Sequence, residues 1–173
     1  MKRLFPLIAV CISLCLSSCL DSYSDFVPRV STTQFVRYTW AEGDTIAKKD
    51  TLALHYNSTD NSYFLDSVNV GDTIRVTIAY QSFANFLVST TVDWDSTKVS
   101  LTGEIPADYQ KALLSTSNIH TLHLNYHEGY NLAGIPLTIV PLRSSDCRLT
   151  LGVTSDAKKV ENSVEEHIYL YIK

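Results

Sequence analysis

The chain has 173 residues and a formal net charge of -4, and 45% of its residues are hydrophobic while 18% are charged. This length fits one domain with a short leader, and this composition is typical of a globular protein and excludes a disordered chain. The 14 Lys and Arg residues are fewer than the 18 Asp and Glu residues and are not clustered, which argues against nucleic acid as a partner.

The N-terminus has the pattern of a cleaved bacterial signal peptide. Lys2 and Arg3 precede an uncharged apolar run over 4–16. A run of this length suits a signal peptide and is shorter than the ~20 residues that a membrane-spanning helix needs. Two serines then lead to Cys19.

The run Leu16-Ser17-Ser18-Cys19 resembles the lipobox of bacterial lipoproteins. In that family the cysteine receives a diacylglycerol, the chain is cut before it, and the new amine is acylated. The resemblance implies a signal peptide over 1–18, lipidation of Cys19 and membrane attachment through acyl chains such as palmitate. Leu20, rather than Asp, follows the cysteine, which in this family favours the outer membrane. The side of attachment, periplasmic or cell-surface, stays open.

The rest of the chain predicts strands. Residues 19–31 show little apolar periodicity and are interpreted as a lipidated tether, whereas apolar and polar residues alternate from residue 32 onwards. The clearest alternation predicts three inward faces: Ile74, Val76, Ile78 and Tyr80; Leu149, Leu151 and Val153; Ile168, Leu170 and Ile172. Weaker strands are predicted near 33–40, 51–56, 62–69, 87–94, 98–102, 119–127 and 135–141.

These elements predict an all-β fold, an antiparallel β-sandwich over 32–173. Only the segment 106–114 has a helical composition, which predicts one short helix. The segment 70–76, Val-Gly-Asp-Thr-Ile-Arg-Val, resembles strand openings in bacterial Ig-like domains. Together with the leader, it makes the whole chain resemble uncharacterised Ig-like β-sandwich lipoproteins of the Bacteroidota.

A second pattern resembles the O-glycosylation acceptor of exported Bacteroidota proteins. The acceptor is Asp followed by Ser or Thr and then an apolar residue or Thr. The same residues also make good turn-to-strand chemistry, so the pattern fits either interpretation. The candidate positions are Thr45, Thr51, Ser67, Thr73 and Ser96.

No common hydrolase, phosphate-loop or zinc motif occurs, so the sequence predicts no catalytic residue, no cofactor and no metal ligand. His120, His123 and His127 form the densest imidazole cluster. On a helix, His123 and His127 would be one turn apart, but the alternation favours a strand. Their separation on a strand, about 13 Å at ~3.3 Å per residue, is too long for one shared ion.

Two further features have both a functional and a structural interpretation. Asp93 and Asp95 would share one strand face around an inward Trp94, as a calcium or acid–base pair or as a strand end entering a turn. Cys147 is the only cysteine that lipoprotein processing would leave unmodified, and it is interpreted as a packed residue rather than a nucleophile.

Tyr169 and Tyr171 alternate with the inward residues of the final strand, so they are the candidate ligand-facing residues. The sequence favours a non-enzymatic binding or interaction module of the cell envelope, with a protein or a glycan as its partner. One alternative is an envelope enzyme or a glycan-processing accessory protein. Another is a structural subunit of a surface assembly that pairs through an exposed edge strand.

Overall fold

A computed structural model describes residues 26–40 and 47–173, which form two β-sheets packed across one apolar core. The first sheet contains β1 (Arg29–Thr32), β2 (Phe35–Thr39), β3 (Lys48–Leu52), β6 (Thr73–Gln81), β8 (Val99–Gly103) and β10 (Leu132–Pro141). The second sheet contains β4 (His55–Asn57), β5 (Ser62–Val68), β7 (Leu87–Asp93), β9 (Leu124–Asn125), β11 (Cys147–Ser155) and β12 (Ser163–Ile172). One helical turn, α1 (Ala107–Gln110), lies between β8 and β9. The predicted all-β sandwich with a short helix is confirmed.

The strand order is β3-β2-β6-β10-β8 in the first sheet, where β1 also pairs with β6, and β4-β5-β12-β11-β7-β9 in the second. All these pairs are antiparallel except β5 with β12, which is parallel. The predicted antiparallel arrangement therefore holds for every pair but one. Since β5 and β12 lie far apart in the chain, no hairpin fixes their relative direction.

The inward faces agree with the predicted alternation. Ile74, Val76, Ile78 and Tyr80 of β6 are all buried, and so are the alternate residues of the other two regular strands. Side chains of a strand point alternately to its two faces, so each of these strands has one core face and one outer face. The buried residues of β11 and β12 are Leu149, Leu151, Val153, Ile168, Leu170 and Ile172.

Tyr80 carries a polar group into the core. Its hydroxyl donates a hydrogen bond to the Thr91 carbonyl oxygen of β7, 3.2 Å away in the opposite sheet. Burial raises the pKa of Tyr80 well above its ordinary value, because an ionised phenol would lose its hydration there. The neutral hydroxyl thus links the two sheets at the centre of the sandwich.

The chain enters the first sheet earlier than predicted. β1 begins at Arg29, pairs with β6 and buries Val30, although residues 29–31 were assigned to the tether. This strand has only four residues, too few for its alternation to be recognised. The signal peptide over 1–18 and Cys19 lie outside the described residues. No helix within the described residues is long and apolar enough to cross a membrane.

Two predicted strands differ in extent. The strand predicted near 51–56 is divided into β3 and β4, which belong to different sheets. The strand predicted near 119–127 is reduced to Leu124–Asn125, because Leu122 adopts a positive φ of 54° and the Asn118 and His123 backbones bond to each other. Leu122, Leu124 and Tyr126 are nevertheless buried, as the alternation predicts.

The inward assignment of β12 can be tested with one pair of substitutions. Leu170 is fully buried, so Leu170→Ala should lower the free energy of unfolding by roughly 2–5 kcal/mol. Tyr171 is 38% exposed, so Tyr171→Ala should cost clearly less. Urea unfolding of both variants measures the two losses, and equal losses would contradict the assignment.

Candidate functional site

Tyr169 and Tyr171 lie on the outer face of the second sheet. Leu170 between them is fully buried, whereas Tyr171 is exposed and Tyr169 is half-buried. Both predicted ligand-facing residues are therefore on the surface side of β12. Their role in binding stays a prediction.

Rings from two neighbouring strands extend this surface. Phe64 of β5 lies beside Tyr169 in the strand register, and its ring centroid is 5.6 Å from that of Tyr171. The ring of His55, on β4, stacks on Phe64 with a centroid distance of 5.1 Å. We call these four side chains, His55, Phe64, Tyr169 and Tyr171, the outer aromatic row. The row crosses three strands, and only the sheet order brings its members together.

Charged groups lie beside the outer aromatic row. His55 Nε2 is 3.8 Å from Asp66 Oδ2, and both side chains are about half exposed. Arg148 of β11 is directly opposite Tyr169 in the register. The row therefore offers aromatic faces and phenol hydroxyls bordered by a carboxylate and a guanidinium. Such a surface can stack on apolar ligand faces and hydrogen-bond to polar groups.

A second aromatic surface was not predicted from the sequence. On the outer face of the first sheet, Tyr38 and Trp40 stack with their centroids 6.2 Å apart, and Trp40 is 54% exposed. The cationic groups of Arg75 and Lys49 lie 5.2 and 5.5 Å from the Tyr38 centroid. The sequence signal was available, since Tyr38 and Trp40 are two residues apart in a predicted strand and so share a face.

A cleft opens between the two sheets near the start of β1 and encloses about 340 Å³. We call it the inter-sheet cleft. Its walls are mainly apolar, and one carboxylic acid is among its lining residues. Six of the lining residues are Val30, Leu54, Tyr63, Leu151, Glu166 and Ile168.

Glu166 is the ionisable group that stands out in this cleft. It lies two residues before buried Ile168, on the same side of β12. Among the described residues, no hydrogen bond or salt bridge reaches its carboxyl group. Burial raises the pKa of Glu166, against a smaller lowering by the nearby His167. A carboxyl group with a perturbed pKa in an apolar cleft is a common feature of functional sites.

The sequence analysis missed Glu166 although a signal was present. Ile168, Leu170 and Ile172 define the inward phase of the last strand, and Glu166 falls on that phase. A charged residue at an inward position is uncommon unless it has a partner or a role. What the sequence did not contain was the cleft, because its walls come from distant strands.

The histidines do not converge. His123 Nε2 lies 3.0 Å from Asp93 Oδ1, with both side chains more than half exposed, and His127 is also exposed. In the described part of the chain, no three His, Cys, Asp or Glu side chains are grouped closely enough to hold a metal ion. The exposed ion pair has the features of a surface interaction, which contributes little to stability.

The carboxylates of Asp93 and Asp95 have separate partners. Asp93 faces His123, whereas Asp95 Oδ1 accepts hydrogen bonds from the Thr97 hydroxyl at 2.6 Å and the Thr97 amide at 2.9 Å. These bonds to Thr97 lower the pKa of Asp95. Asp95 therefore closes a turn, while Trp94 packs against the core. This geometry agrees with the strand-end interpretation.

Cys147 is buried at the start of β11, and burial raises the pKa of its thiol. Because the thiolate is the nucleophile, a raised pKa makes this side chain unreactive. The structure supports the interpretation of Cys147 as a packed residue.

The candidate O-glycosylation positions differ in accessibility. Thr51, Ser67 and Ser96 are exposed, Thr73 is half-buried within β6, and Thr45 lies outside the described residues. The hydroxyl of Ser67 donates a hydrogen bond to Asp66. Modification at any of these positions stays a prediction.

The burial of Glu166 gives a pH-dependent prediction. Its pKa is raised above the ordinary value of 4.5, so the native state holds the proton more strongly than the unfolded state does. Stability should therefore fall as the pH rises through this window, and the penalty should vanish below it, where both states are protonated. We expect Glu166→Gln to increase the free energy of unfolding at pH 7 and to have less effect near pH 4.

Urea unfolding at the two pH values measures this effect. The matched control is Glu165→Gln, because Glu165 is exposed on the opposite face of the same strand. This control should show no gain at pH 7 relative to pH 4. The same pH-dependent gain in both variants would contradict a specific cost at Glu166.

No family model and no curated protein matches the chain. Two solved structures are similar in fold. One is a DUF4466 family protein from Parabacteroides merdae, with 10% identity, a TM-score of 0.41, and 83% of this chain and 44% of that chain covered. The other is a family 123 glycoside hydrolase from Clostridium perfringens, with 12% identity, a TM-score of 0.43, and 85% and 27% covered. The chain thus spans less than half the length of either protein.

Proposed function

We propose that this protein is a lipid-anchored, non-enzymatic binding or interaction module at the bacterial outer membrane. It contacts a glycan or a protein through the outer aromatic row. The observation that carries the proposal is the exposure of Tyr171 next to Phe64 and His55, on a face that the core does not use. Aromatic rings are strong anchors in interfaces because they bury a large area with little loss of side-chain entropy.

The geometry of the row favours binding. Its rings are held by contacts across neighbouring strands, so little order remains to be imposed when a partner binds. The phenol hydroxyls and the flanking Arg148 give the surface hydrogen-bonding groups at its margin. An extended partner lying across β4, β5 and β12 would meet the whole row.

Tyr171→Ala should weaken partner binding by roughly tenfold or more, since truncating an anchoring aromatic costs on the order of 2 kcal/mol. The matched control is Tyr56→Ala, which removes an exposed tyrosine that pairs with Tyr63 outside the row. A glycan array probed with wild-type protein and both variants tests the glycan. A photo-crosslinking residue at position 171 in cells tests the protein partner. Equal loss in both variants, or none in Tyr171→Ala, would contradict the proposal.

Anchoring is tested separately. The lipobox resemblance at Leu16-Ser17-Ser18-Cys19 predicts that Cys19→Ala abolishes acylation and leaves an unprocessed or mislocalised precursor. Labelling with a fatty-acid analogue, followed by detergent phase partitioning, measures both effects. A Cys19→Ala protein that is still labelled and cut at the usual position would contradict lipidation at this residue.

The second candidate function, a structural subunit of a surface assembly, is favoured by β8. This strand pairs with β10 on one side and has no strand partner on the other among the described residues. Its sequence, Val-Ser-Leu-Thr-Gly, contains neither a charge nor a proline. Such an edge lacks the common protections against strand addition, so it suits pairing with another chain.

A further inference from the structure

The inter-sheet cleft combines two features that are costly to leave without a ligand. Its walls include the apolar side chains of Val30, Leu54 and Ile168, and the carboxyl group of Glu166 lies among them. No described residue forms a hydrogen bond or salt bridge with that carboxyl group. A partly desolvated carboxylate without a partner lowers stability, and a cation placed beside it would remove that cost.

The neighbouring basic groups are engaged elsewhere. The Arg29 guanidinium, at the margin of the cleft, lies 5.8 Å from the centroid of the Phe83 ring. His167 Nδ1 is 3.3 Å from the Thr150 hydroxyl, on the opposite face of β12 from Glu166. The cleft therefore presents a negative group to whatever enters it.

We propose that the inter-sheet cleft binds an organic cation, an ammonium or guanidinium group on an apolar body. The charged group pairs with Glu166, and the apolar body packs against Val30, Leu54 and Ile168. The pairing is a charge-assisted hydrogen bond, which is stronger than a neutral one. This site is separate from the outer aromatic row and goes beyond the proposed function.

The size of the cleft limits the ligand. At ~30 Å³ per water-sized group, about 340 Å³ accommodates roughly ten non-hydrogen atoms. A small free amine fits this volume, and so does the side chain of a lysine or arginine presented by another protein. Both sources have the same chemistry at Glu166.

The test is an NMR titration of the full-length chain in zwitterionic detergent micelles, with methyl-labelled leucine and isoleucine. The probe is cyclohexylmethylammonium, and the matched neutral compound is cyclohexylmethanol, which has the same body without the charge. We expect the ammonium compound to shift the methyl signals of Leu54, Leu151 and Ile168 saturably. The alcohol should bind roughly tenfold more weakly.

Variants assign the charge effect to one residue. Glu166→Gln should weaken binding of the ammonium compound by roughly tenfold, whereas Glu165→Gln, with the same charge change on the exposed face, should leave it unchanged. Leu54→Phe, which fills part of the cleft and keeps Glu166, should also weaken binding. Tyr171→Ala should bind the ammonium compound like wild type, so this result is independent of the outer aromatic row.

The outcomes separate the sources and the failures. Saturable binding of Nα-acetyl-lysine methylamide as well as the free amine supports a protein side chain as the source. Binding of the free amine alone supports a small molecule. Equal affinity for the ammonium compound and the alcohol, equal affinity of wild type and Glu166→Gln, or no methyl shifts would each overturn the proposal.

Discussion

Burial of the inward side chains of β6 against the second sheet is the interaction on which the other features depend. Ile74, Val76, Ile78 and Tyr80 are almost inaccessible to solvent, and fully burying each such side chain contributes roughly 1.5–3 kcal/mol. β6 also pairs with β1 and β2 on one side and with β10 on the other. Its inward residues therefore fix the facing of the neighbouring strands, and the outer face of the first sheet follows from them.

Polar contacts between the sheets supplement this core at two places. In the middle, the Tyr80 hydroxyl reaches the Thr91 carbonyl. At one end, Arg37 donates hydrogen bonds to the Ser67 carbonyl at 2.9 Å and to Asp50 at 2.6 Å, and it also lies 3.5 Å from the buried Asp72. These contacts satisfy groups that would otherwise be buried without partners, so they favour one relative placement of the sheets.

β12 connects both proposed binding surfaces. Its outward residues include Tyr169 and Tyr171, and its inward residues change from apolar side chains at Ile168 and beyond to a carboxylic acid at Glu166. The change occurs where the core opens into the inter-sheet cleft. A ligand in the cleft and a partner on the outer aromatic row would thus contact opposite faces of one strand, only a few residues apart.

The sequence by itself determined which faces of the regular strands are buried. The alternation in β6, β11 and β12 is a local property with a period of two residues, so Ile74, Leu149 and Leu170 were assigned inward without knowledge of any neighbour. The same local pattern placed Tyr169 and Tyr171 outside. It also marked Glu166 as inward.

Only the tertiary structure decided which strands are neighbours. The parallel pairing of β5 with β12 and the division of 51–56 between two sheets depend on contacts between distant segments, which no local period encodes. The outer aromatic row needs β4, β5 and β12 side by side, and the inter-sheet cleft needs β1 opposite β12. Residue types and their facing were therefore readable from the chain, whereas the surfaces they form together arise from long-range strand pairing and packing.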